Sequence, residues 1–136
     1  MHFITDRKRA EGFGSSKTGT EHFWSMTISS VALLVLTPLF LIAVAPVLGA
    51  PHDVVLAHFA RPFPALVTGL TIVVGFVHFK DGVRVVIEDY TDGLMRKALI
   101  VGTTMLSYAA IAAGLLALGR MALEGIRDDR LSIPDA

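Results

Sequence analysis

Residues 62–90 read PFPALVTGLTIVVGFVHFKDGVRVVIEDY. The first 18, Pro62 to Phe79, contain no Asp, Glu, Lys or Arg. A bilayer core takes roughly 20 apolar residues as one helix. Proline suits the first turn of a helix, where its missing N–H costs nothing, so the Pro62–Phe63–Pro64 cluster marks the start. Asp89–Tyr90 marks the end, and the reading is a transmembrane helix over 63–88. Two more uncharged runs flank it. His22 to His52 is 31 residues long and Ala98 to Gly119 is 22. They place further spans at 26–48 and 96–123. A soluble core helix would account for one such run, but not for three in 136 residues.

Composition agrees. The chain is 53% apolar and 18% charged, with a mean hydropathy of +0.62. Twelve basic and twelve acidic residues cancel, which leaves no basic face for nucleic acid. With no cysteine there is no disulfide scaffold, thiolate zinc site or Cys-ligated iron–sulfur cluster in this chain. The expected fold is an all-α membrane protein, a single membrane-anchor domain over 1–136. It has three transmembrane helices, an irregular polar N-terminal arm over 1–25 and a loose polar tail over 124–136. The arm is too long and too mixed in charge for a cleaved signal peptide. Asp6, Glu11 and Glu21 set it apart from a transit peptide. A bacterial inner membrane is the expected address, with the mitochondrial inner membrane as the alternative.

Basic residues give the orientation. Arg7, Lys8, Arg9, Lys17, Arg96 and Lys97 share one side, with Lys80 and Arg84 near it. Arg61, Arg120, Arg127 and Arg130 lie on the other. The positive-inside rule then puts the N-terminus in the cytoplasm and the C-terminus in the periplasm. Thr37–Pro38 predicts a kink in the first span, because proline removes a backbone donor. Asp53 is the expected N-cap of a short amphipathic stretch in the outer loop. In the third span Ala109, Ala110, Ala113 and Gly114 offer small surfaces for a close helix approach. The turn Thr91–Asp92–Gly93 makes spans two and three antiparallel neighbours.

The segment Gly75 to Tyr90 carries the chemistry. His78 lies inside the bilayer, where an ionisable residue is costly and defaults to a functional role. The alternative is a packing histidine hydrogen-bonded in the bundle. Residues 78 and 89 differ by eleven, about 1100° or three turns plus ~20°, so both sit on one face ~16 Å apart. Gly75 and Gly82 flank His78 on that face and leave room for a flat group such as haem, with the imidazole as an axial ligand. The same glycines equally suit close helix packing. Tyr90 can donate to a quinone carbonyl, and Asp89 can orient it or pass protons. An aromatic-belt tyrosine beside a solvated acid is the other reading.

His78, Gly82, Asp89 and Tyr90 form an H-x3-G-x6-D-Y pattern on the second of three spans. With the arm ending Gly19-x-x-His22-x-Trp24, it resembles the small hydrophobic membrane-anchor subunits of succinate dehydrogenase, respiratory complex II, of the alphaproteobacterial and mitochondrial type. The resemblance covers nearly the whole chain. It implies a subunit of succinate:ubiquinone oxidoreductase, not catalytic alone. The implied partners are a flavoprotein subunit, an iron–sulfur subunit and a cytochrome b subunit that is the second membrane anchor, with ubiquinone as substrate. It further implies that His78 is an axial ligand of haem b, the second ligand coming from the cytochrome b subunit. Tyr90 would hydrogen-bond a ubiquinone carbonyl, with Asp89 beside it.

The resemblance also has a departure. Many relatives carry an arginine early in helix one that reaches a haem propionate, whereas Trp24–Ser30 here (WSMTISS) has no basic residue. Propionate pairing then falls to the cytochrome b subunit, Arg84 or Lys80. Asp81 and Arg84, three apart, are expected to pair on a solvated rim. His2, His52 and His58 read as surface residues, His22 and Trp24 as interfacial, and Glu88 and Asp92 as solvated. A quinol:fumarate reductase anchor, a haem b cytochrome with other partners and a non-redox accessory or assembly protein are the alternative functions.

Overall fold

The computed structural model describes Thr5 and residues 19–131. Among the described residues four α-helices follow in order: α1 (Gly19–Val44), α2 (His52–Phe59), α3 (Pro62–Tyr90) and α4 (Gly93–Leu131). A 3-10 turn, Ala45–Val47, continues α1. No strand occurs among the described residues. The helices α1, α3 and α4 are each long and apolar enough to cross a membrane. The protein is an all-α membrane protein with three spans.

The central helix is α3, with α1 packed on one side and α4 on the other. Among the described residues α1 and α4 do not meet. The small core lies at one end, where Val47, Phe59 and Leu118 pack together. Large apolar side chains such as Leu34, Ile42, Met105 and Leu106 stay exposed, as an apolar solvent allows. Close approach between α3 and α4 rests on glycine. A Cβ at Gly114 would lie 3.2 Å from Ile72, and one at Gly69 would lie 3.5 Å from Leu118. Of the small residues expected at that contact, Ala109 and Ala113 are exposed.

Several boundaries differ from the expectations. Helix α1 begins at Gly19, not Met26, so residues 19–25 of the expected irregular arm are helical. The rest of the arm, with His2, lies outside the described residues, Thr5 apart. The helix continues through Pro38. The expected loose tail is helical as far as Leu131, and residues 132–136 lie outside the described residues. The reason is tertiary. Helix α2 crosses α4 at Gly125, where an added Cβ would sit 2.2 Å from the Leu56 carbonyl oxygen. At 39 residues α4 is roughly 58 Å long, far more than a ~30 Å bilayer core requires.

Helix α2 is capped by Pro51, and Asp53 sits inside the first turn instead of at the N-cap. An acid there still meets the positive end of the helix dipole. His52 is exposed as expected, but His58 is not a simple surface residue. Its Nε2 donates to the Ala43 carbonyl across 2.7 Å, which ties α2 to the end of α1.

Candidate functional site

Three polar residues of α1 recur at helical spacing: His22, Ser25 and Ser29. Spacings of three and four residues put them on one face. That face meets α3. The Ser29 hydroxyl lies 2.9 Å from His78 Nδ1, and the Ser25 hydroxyl donates to Asp81 Oδ2 across 2.7 Å. The helices run antiparallel, so the later residue of one pairs with the earlier residue of the other. The result is a polar seam inside a helix pair that is otherwise apolar. Small hydroxyl side chains are favoured at such interfaces because they let backbones approach and still satisfy a polar group.

Asp81 is the most buried charge among the described residues, with 4% of its surface exposed. It accepts from Ser25 and is paired with Lys80. The expected Asp81–Arg84 pair therefore does not form, and of the two residues expected on a solvated rim only Arg84 is exposed. Asp81 points into the α1 contact, where Arg84 does not follow. The Arg84 Nε instead donates to Glu88 Oε1 at 2.8 Å, one turn nearer the helix end. His22 reaches the same region with its Nε2 buried and without a hydrogen-bond partner among the described residues. Trp24 is exposed, as an interfacial residue would be.

Around His78 the chain leaves space. A Cβ at Gly75 or at Gly82 would meet nothing within 4 Å. Beside Gly75 lies an apolar cavity of about 300 Å³ lined by Phe40, Thr71, Ile72, Phe76 and Phe79. His78 is half-buried, and its Nε2 makes no hydrogen bond among the described residues. No cluster of three metal-ligating side chains exists among the described residues.

Asp89 and Tyr90 stand apart from this seam at the end of α3. Both are exposed, Tyr90 by 84%, and no side chain among the described residues covers the phenol. Their position is held by the turn. Thr91 closes α3 through its N–H and hydroxyl, both donated to the Ile87 carbonyl. Arg96 then reaches back to the Thr91 carbonyl at 2.6 Å, the Glu88 carbonyl at 2.9 Å and Asp92 Oδ1 at 2.7 Å. The last carbonyls of a helix lack partners of their own, and a guanidinium fork supplies them. Glu88 and Asp92 are open to solvent, as expected, and each also pairs with an arginine.

Sequence reasoning singled out His78, Gly75, Gly82, Asp89 and Tyr90, and it missed the contacts that Ser25 and Ser29 make with Asp81 and His78. A signal was available. Two serines four residues apart in a span without charge form a stripe, and a stripe asks for polar partners.

Fold and site define a small polytopic membrane protein with an intramembrane imidazole hydrogen-bonded across a helix pair. Residues 1–118 match the family of succinate dehydrogenase/fumarate reductase transmembrane subunits. The chain is 52% identical over 126 residues to the succinate dehydrogenase hydrophobic membrane anchor subunit of Paracoccus denitrificans, covering 93% of this chain and 98% of that protein. It is 23% identical over 117 residues to the subunit of the same name from Rickettsia bellii, covering 85% and 94%. No solved structure matches the chain. The chain belongs to this family, as a hydrophobic membrane-anchor subunit of succinate dehydrogenase and part of an oxidoreductase complex.

Proposed function

We propose that this anchor holds a flavoprotein subunit and an iron–sulfur subunit to a bacterial inner membrane, pairs with a cytochrome b subunit, and shares with it a haem b and a ubiquinone-reduction site. In this reading His78 is the axial ligand that this chain supplies. The observation that carries it is the His78 ring itself. Its Nδ1 is engaged by Ser29 at 2.9 Å, while Nε2 is without a hydrogen bond among the described residues. An outer-shell hydrogen bond on one ring nitrogen and a free second nitrogen is the usual state of a metal-ligating histidine. The open positions at Gly75 and Gly82 suit a flat occupant. Haem b, when bound, supplies a one-electron carrier close to the quinone.

Tyr90 and Asp89 form this chain's wall of the quinone site. The exposed phenol is free to donate to a quinone carbonyl, and the neighbouring carboxylate to pass protons from the aqueous side. The basic residues of the arm and of the Arg96–Lys97 turn support a cytoplasmic position for that end and a periplasmic C-terminus.

A mild-detergent pull-down through a C-terminal tag tests the assembly. The expected catch is a flavoprotein, an iron–sulfur protein and a second small hydrophobic chain. In the purified complex His78→Ala should abolish the low-spin haem spectrum. A catch without a flavoprotein would refute the docking role, and an unchanged low-spin spectrum in His78→Ala would refute the axial ligand.

A further inference from the structure

We propose that Ser29 is a positioning residue that holds the His78 imidazole in the tautomer protonated on Nδ1, leaving the Nε2 lone pair free to bind iron. This rests on the axial-ligand reading of His78 and deepens it.

The tautomer follows from the available protons. A serine hydroxyl has one proton to donate and two lone pairs to accept with. Ser29 Oγ lies 2.7 Å from the Ser25 carbonyl oxygen and 3.0 Å from the Met26 carbonyl oxygen. Carbonyl oxygens only accept, so the hydroxyl proton is directed back along its own helix, as buried helical serines commonly arrange. Toward His78, 2.9 Å away, Ser29 then has only a lone pair to offer. The donor across that gap is Nδ1–H, and a neutral imidazole with its proton on Nδ1 presents a bare Nε2.

The opposite arrangement makes fewer bonds. If Ser29 turned its proton to Nδ1, the ring proton would move to Nε2. No acceptor among the described residues is bonded to Nε2. An N–H without an acceptor in an apolar medium is costly. The first arrangement satisfies both donors and the second strands one. Ser29 is itself buried, so little competes for its lone pairs. The register needed to bring Ser29 to His78 is pinned one turn away, where Ser25 donates to Asp81 at 2.7 Å.

A hydrogen bond accepted from Nδ1–H makes the imidazole a stronger donor and favours the oxidised iron. The test uses the purified complex with Ser29→Ala, Ser29→Cys and Ser29→Thr, alongside His78→Ala. The readouts are the haem midpoint potential and the low-spin electron paramagnetic resonance spectrum, not turnover. Ser29→Ala is expected to keep the haem, move its midpoint potential positive and shift the largest g value. Ser29→Thr, which restores the hydroxyl, should return both to the wild-type values. Should Ser29→Ala fail to assemble, the near-isosteric Ser29→Cys carries the test, because sulfur is a weak acceptor and should give a smaller shift of the same sign. Wild-type potential and g values in Ala or Cys complexes, with haem lost in His78→Ala, would overturn the role of Ser29 alone. An intact low-spin haem in His78→Ala would overturn both readings.

Discussion

The Ser25 hydroxyl donates to the Asp81 carboxylate across 2.7 Å, joining the first and second membrane spans through a residue with 4% of its surface exposed. A carboxylate at that depth is stable only when its charge and lone pairs are met. Ser25 and Lys80 meet them here. One consequence is mutational asymmetry. Asp81→Ala strands the Lys80 ammonium and the Ser25 hydroxyl together, and should destabilise the anchor by about 1–3 kcal/mol. Asp81→Asn keeps an acceptor for Ser25 and should lose less. Thermal unfolding of the purified complex, followed by haem release, checks the order. Equal losses for Asn and Ala would show that the Ser25 bond contributes nothing.

The space at Gly75 and Gly82 gives a second expectation. A methyl group added at either position would meet nothing within 4 Å beyond its own stretch of helix, so there is open space beside both. Gly82→Leu should therefore leave the chain folded and inserted, while haem content per complex falls severalfold. Pyridine-haemochrome assay against protein content measures it. Full haem occupancy in Gly82→Leu would mean that the slot is not where the group sits.

Tyr90 offers a separable readout because its phenol is exposed by 84%, away from the packed faces of α3. Removing only the hydroxyl should not disturb the fold. Tyr90→Phe is expected to lower succinate-to-quinone turnover about tenfold, corresponding to roughly 1.4 kcal/mol. Succinate oxidation with an artificial acceptor that takes electrons from the hydrophilic subunits should be unchanged. Parallel assays on one preparation decide it, and equal rates in both with quinone turnover intact would remove Tyr90 from the site.

Gly125 makes a prediction that does not depend on any cofactor. Its Cβ position lies 2.2 Å from the Leu56 carbonyl oxygen and 2.8 Å from the Leu56 carbonyl carbon, which are backbone atoms that cannot swing away. Gly125→Ala must push α2 off α4 and should cost about 1–3 kcal/mol. Gly102→Ala, at a position with open space, is the control and should stay within about 0.5 kcal/mol of wild type. Melting midpoints of the two variants in detergent give the comparison.

Three membrane crossings were legible in the order of residues alone. Bilayer thickness imposes a length on every uncharged run, and that constraint is local. The helix that carries both His78 and Asp89 was legible too, since helical spacing is local. The family pattern was readable for the same reason, because all of its residues lie on one helix. The partners of those residues were not. Whether Ser29 reaches His78, and Ser25 reaches Asp81, depends on the register of two antiparallel helices. That register is set by packing along their whole contact, and no spacing within either helix encodes it.

The expected Asp81–Arg84 pair was a sound reading of one isolated helix, and it failed because α1 takes up the Asp81 face and leaves Arg84 to Glu88. The tail was expected to be loose as a chain terminus, yet it is helical to Leu131, and α2 lies across it at Gly125. In each case a neighbour distant in sequence supplied the deciding contact. Folding alone brings such neighbours together, because the register of two packed helices is set along their whole contact.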